Sequence, residues 1–164
     1  MTDMPVSDDP GVQLDRSATR ILIVDDDRDF ADTLGQLLKL EGFDVEITYS
    51  IAGARLALQR SQAEIALIDI RMGDGNGLSL VADIRQTHPD LNCIMMTAYA
   101  SVETAVATLQ EGAYDYLRKP FYTQDLMATI ERCLERRSLM QERDQAEAAL
   151  KQRNRDLETL NTRL

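Results

Sequence analysis

A chain of 164 residues with a 44% hydrophobic fraction suffices for one ordinary domain and an appendage. It holds no apolar run of about 18 residues, which excludes a membrane helix, and residues 1–15 lack the apolar stretch of a secretory signal, so a cytoplasmic protein is expected. From Thr123 to the end eight acids balance eight bases, so the net charge of −10 resides entirely in the preceding segment, a body that would repel nucleic acid but can hold a divalent cation where carboxylates converge.

Residues 1–19 are rich in Asp, Pro and Gly and short of large apolar side chains, the composition of a disordered leader. Structure is expected from Arg20 onward. The run at 21–24 is aliphatic and β-branched, as a strand buried on both faces requires. Phe30, Leu34, Leu37 and Leu38 then follow helical spacing, and Gly42 offers a left-handed helix stop. A more alternating strand over 43–48 precedes a helix over 51–58, and residues 65–68 form a third strand that stops at Asp69. A glycine-rich turn over 72–77 leads into helical spacing at Leu78, Val81 and Ile84. A fourth strand over 93–96 ends at Thr97, and Ser101 caps a helix reaching Leu109. A short fifth strand over 114–117 ends before Lys119 and Pro120.

Strands alternating with helices argue an α/β fold, an open doubly wound parallel sheet of five strands with helices on both faces. Right-handed crossovers bring every strand's carboxyl end to one edge, where such sheets bind ligands. Asp25, Asp26 and Asp27 follow strand 1, Asp69 ends strand 3, Thr97 ends strand 4 and Lys119 follows strand 5. Clustered carboxylates repel one another, and a hard cation such as Mg²⁺ relieves this with oxygen ligands. A carboxylate beside such a cation can attack phosphorus, with the metal and the Lys119 ammonium offsetting charge on the transferring group.

The segments ILIVDDD (21–27), ALIDIRM (66–72), MMTAYA (95–100) and YDYLRKPF (114–121) resemble the bacterial two-component response-regulator receiver domain, in the flavour of enhancer-binding regulators. The resemblance implies a flavodoxin-like strand order 2-1-3-4-5 over residues 20–137. It implies Asp69 as acceptor of a phosphoryl group from a histidine kinase or phosphotransfer protein. Asp25 and Asp26 would be the acidic pair, with Mg²⁺ held by Asp26, Asp69 and the backbone carbonyl of Arg71. Lys119 would be the site lysine, and Thr97 and Tyr116 the residues that move together on phosphorylation. Arg71 and Tyr99, each two residues beyond a site residue, would tune dephosphorylation, the bulk of Tyr99 hindering water. Such a protein is a switch that catalyses its own phosphorylation and slow dephosphorylation, not a metabolic enzyme. Two departures stand out: Gly73 replaces the usual proline and Asn76 a frequent Asp, so a looser acceptor loop is expected.

No Gly or Pro interrupts residues 126–164. Leu139, Ala146, Leu150, Leu157, Leu160 and Leu164 recur at spacings of three and four, broken by Arg143 and Arg153. Residues 138–164 are therefore expected to continue the last receiver helix as a parallel, dimeric coiled coil rather than a solvated single helix. The pattern still runs at Leu164, which favours a truncated chain over a coil that itself recruits a partner.

Competing readings are weaker. The three aspartates at 25–27 also suit a helix N-cap. A phosphohydrolase with an aspartyl nucleophile would want a second Asp where Arg71 stands, and a dinucleotide fold would want GxGxxG in place of Asp25, Asp26 and Asp27. A receiver-like scaffold working without phosphorylation fits poorly with an intact Asp26, Asp69, Thr97 and Lys119. Cys93 and Cys133, without CxxC spacing, are expected as buried thiols in a reducing compartment, and His88 as exposed and inert.

Overall fold

The structure, a computed structural model, describes residues 16–163. Five parallel strands form the sheet: β1 (Arg20–Val24), β2 (Asp44–Thr48), β3 (Ile65–Asp69), β6 (Asn92–Thr97) and β7 (Asp115–Arg118), in the order β2-β1-β3-β6-β7. Counted along the chain this is the expected order 2-1-3-4-5. A two-strand ribbon, β4 (Arg71–Met72) with β5 (Gly75–Asn76), fills most of the turn after Asp69. The helices between are α1 (Arg28–Leu40), α2 (Ile51–Arg60), α3 (Gly77–Thr87) and α4 (Val102–Gln110).

The aliphatic strands behave as their composition requires. Leu22, Val24, Ala66, Ile68, Cys93 and Met95 share a core with Ile51, Ala54 and Leu58 of α2 and Leu80, Val81 and Ile84 of α3. The alternating partners Ile21, Ile23, Ile65, Leu67, Ile94 and Met96 are also fully buried, on the opposite side of the pleat. The edge strand β2 is only half-buried, which explains its alternating sequence. Caps set the helix starts: Asp27, Ser50, Asn76 and Ser101 each accept from a backbone N–H in the first turn that follows. Gly42, at φ +97°, ends α1 in the left-handed region.

Residues 1–15 of the expected leader, and Leu164 of the expected seam, lie outside the described residues. The end of that leader is structured: Arg16–Ala18 make a 3-10 turn, Arg16 pairs with Glu41 at 3.1 Å, and the Thr19 carbonyl accepts from the Asp44 N–H. Backbone bonds and the contacts of Arg16 with Glu41 and with the Phe43 ring, 5.7 Å to its centroid, help to hold this segment, and none of them leaves an apolar period in sequence. His88 is not exposed. It is half-buried, with Nε2 3.1 Å from the Leu58 carbonyl and Nδ1 2.8 Å from the Thr87 hydroxyl, because it sits at the C-cap of α3 beside α2.

The described residues divide into two compact units, one ending at Lys119 and the other beginning at Pro120. The second is dominated by α5 (Thr123–Thr162), a 40-residue helix about 60 Å long. Leu126, Thr129, Ile130, Cys133 and Leu134 along its first turns are buried. Burial pushes the Cys133 thiol up to about 11, with Arg137 and Arg136 opposing. From residue 139 to 163 every residue is exposed, the expected seam residues Leu139, Ala146, Leu150, Leu157 and Leu160 included. Among the described residues no helix is long and apolar enough to cross a membrane.

Candidate functional site

The three aspartates after β1 divide the work. Asp27 is the N-cap of α1 and accepts from the Phe30 N–H at 3.1 Å. Asp25 is fully buried; its Oδ1 accepts from the Asp27 N–H at 3.0 Å and its Oδ2 lies 2.5 Å from Lys119 Nζ. Asp26 is exposed. Asp69, at the end of β3, turns Oδ2 toward the same ammonium at 3.2 Å, and its Oδ1 accepts from the Arg71 N–H at 3.3 Å. One carboxylate oxygen from each of Asp25, Asp26 and Asp69 lies within 4.8 Å of the other two. The capping reading is therefore correct for Asp27 alone, and the other two belong to the pocket.

Lys119 is held from three sides. Its backbone N–H donates to the Thr97 carbonyl at 2.7 Å, its ammonium reaches both carboxylates, and that ammonium lies 4.1 Å from the centroid of the Phe30 ring. Burial works against its charge, but the hydrogen bond to Asp25 and the charges of Asp69 and Asp25 outweigh burial and raise its pKa. Burial also raises the pKa of Asp69; Lys119 opposes this and the negative Asp25 reinforces it. One ammonium thus serves two carboxylates beside a third, and the uncompensated negative charge favours a hard cation.

Thr97 ends β6 with 2% of its surface exposed, and its hydroxyl oxygen accepts from the Tyr99 N–H at 3.0 Å. Tyr116 lies on the neighbouring strand, two positions before Arg118, the register partner of Thr97. It is half-buried against the α2–α3 face of the core. Arg71 and Tyr99, two separate residues in sequence, meet: the guanidinium lies 4.1 Å from the centroid of the Tyr99 ring.

Three supporting residues escaped the sequence reading. Phe30 carried only a helical period. Gly77 opens α3 so close to the end of β3 that an added Cβ would lie 2.1 Å from the Asp69 carbonyl oxygen, a distance no side chain survives. Asp74 accepts from two N–H groups of α2, Ile51 at 3.0 Å and Ala52 at 3.1 Å, which lower its pKa. Glycine opening a helix was a weak signal for the second; nothing local signalled the third.

The response regulator receiver domain family matches residues 21–131, more than half of the chain and every site residue named above. This chain belongs to that family. As a receiver domain of two-component systems it is 37% identical over 106 residues to the photosynthetic apparatus regulatory protein RegA of Rhodobacter capsulatus, covering 65% of this chain and 58% of RegA. It is 37% identical over 137 residues to the C4-dicarboxylate transport transcriptional regulatory protein DctD of Rhizobium meliloti, covering 81% of this chain and 30% of DctD. The receiver therefore spans little more than half the length of the first relative and under a third of the second. Among solved structures, a CheY-like receiver from Methanospirillum hungatei superposes with a TM-score of 0.72 at 34% identity, covering 74% of this chain and 98% of that one.

Proposed function

We propose that this receiver takes a phosphoryl group onto Asp69 from the phosphohistidine of a histidine kinase or phosphotransfer protein, and signals through α5. The observation that carries the reading is the single Lys119 ammonium shared between buried Asp25 and the Asp69 acceptor. The convergent carboxylate oxygens suit Mg²⁺, which Asp26, Asp69 and the Arg71 carbonyl would hold, Asp25 supporting from behind. Bound there, the metal would offset charge on the phosphoryl oxygens.

One carboxylate oxygen of Asp69 attacks phosphorus. The P–N bond of the phosphoimidazole breaks, the leaving nitrogen keeps the electron pair and the imidazole remains. Lys119 stays beside the acceptor and meets the incoming negative charge. The Thr97 hydroxyl accepts from Tyr99 and still has a proton to donate to a phosphoryl oxygen. Its movement toward that oxygen draws Tyr116 with it. The Arg71–Tyr99 stack restricts the approach of water and lengthens the phosphoryl lifetime.

In this reading residues 20–137 are the receiver, a boundary supported by a family match that runs into α5 as far as residue 131. Residues 138–164 form a parallel homodimeric coiled coil, supported by leucines exposed along an otherwise charged helix. The protein works in the cytoplasm, and the acidic body argues against duplex contacts by this segment.

The test is incubation with a small phosphodonor and Mg²⁺, read by intact mass and gel filtration. Wild type should gain one phosphoryl group, Asp69→Ala none, and both should elute as dimers. No gain in wild type would favour a scaffold that works without phosphorylation.

A further inference from the structure

Asp74 lies outside the carboxylate cluster, and both of its oxygens are committed to the N-terminus of α2. The Ile51 and Ala52 amides are donors that no intrahelical carbonyl can satisfy, and the next, Gly53, is capped at 2.9 Å by Ser50. The helix thus draws one cap from its own entry and two from a loop more than twenty residues further along.

On its other side Asp74 sits at the tip of the acceptor loop. That loop runs from Asp69 through the ribbon pairs Arg71 with Asn76 and Met72 with Gly75, then closes on Gly77. Two pairs make a weak ribbon, and glycines flank the tip on both sides, so the loop has little stiffness of its own. The tip is nevertheless close to the cluster: a Cβ added at Gly73 would lie 3.4 Å from Asp26 Oδ2.

We propose that Asp74 is a positioning residue for the metal-binding loop. Its bonds to α2 supply the rigidity that Gly73 lacks, and so hold the Arg71 segment in register with Asp26 and Asp69 for Mg²⁺. This rests on the reading above that these groups take Mg²⁺.

The test is calorimetric titration of the full chain with Mg²⁺, paired with phosphorylation rates at low and saturating Mg²⁺. Asp74→Ala should bind Mg²⁺ about tenfold more weakly, at the lower end of what loss of a ligand-orienting group costs. Its phosphorylation rate should recover at saturating Mg²⁺. Ser50→Ala, which uncaps the same helix without touching the loop, should keep wild-type affinity. Gly73→Pro added to Asp74→Ala should restore most of the loss, because proline stiffens the loop directly. If Asp74→Ala does not fold, Asp74→Asn, which keeps one acceptor oxygen, carries the same comparison. Unchanged affinity in the Asp74 variant would overturn the proposal, as would an equal loss in Ser50→Ala or a failed rescue by proline. A wild type that binds no Mg²⁺ would instead overturn the metal reading itself.

Discussion

The carboxyl edge of the sheet and the outer part of α5 hold charge in opposite ways. At the edge, Asp25, Asp26 and Asp69 crowd within one small space and a single ammonium answers them. Along residues 139–163, five acids and five bases stand exposed on a helix surface. Water screens the second set, so each charge there is worth little alone. The first set is partly withdrawn from water, so its repulsion persists until a ligand relieves it. The sheet edge is therefore a site under electrostatic load, and the outer helix is electrically neutral, with leucines as its distinguishing feature.

The largest stability effect should come from the edge. Lys119→Met leaves the fully buried Asp25 without its ammonium and should destabilise the fold by about 3 kcal/mol in denaturant titration. The same pair has a pH signature. The folded pKa of Lys119 is raised, so its contribution is complete below its ordinary 10.5 and is lost as pH rises through the higher folded value. Wild type should lose stability in that alkaline window more steeply than Lys119→Met; equal slopes would break the contrast.

Asp69→Asn should act with the opposite sign. Burial raises the Asp69 pKa, so the ionised group opposes folding, and the neutral amide should stabilise the fold at neutral pH, read by denaturant titration. The gain should disappear below the ordinary carboxyl value of 3.8, where the acid is neutral in both states. Tyr99→Ala removes the ring under the Arg71 guanidinium and should speed phosphoryl decay about two- to fivefold, the equivalent of one exposed cation–π contact. An unchanged decay rate would separate the stack from the chemistry. Smallest of all, Arg143→Ala on the outer helix should change stability by about 0.3 kcal/mol, since its bond to Glu147 is a solvent-exposed pair one turn apart. A larger loss would mean that the helix is not electrically quiet.

Much of this contrast was legible in the residues. Buried parallel strands write themselves as continuous aliphatic runs, so the strand ends, and with them Asp25, Asp26, Asp69, Thr97 and Lys119, could be placed on one edge. What escaped lacks a period. The β4–β5 ribbon is two residues on each side and reads as a glycine-rich turn. The bonds of Asp74 to α2 and the meeting of Arg71 with Tyr99 join loops far apart in sequence. His88 looked like a loop residue because its partner is a backbone carbonyl thirty positions away, and carbonyls carry no sequence signal.

Gly77 brings the start of α3 to within one missing methyl group of the Asp69 carbonyl. In engineering terms this joint is built without clearance. Any side chain at position 77 must push either the helix or the end of β3 aside, and a shift of the Asp69 backbone passes to α3 without play.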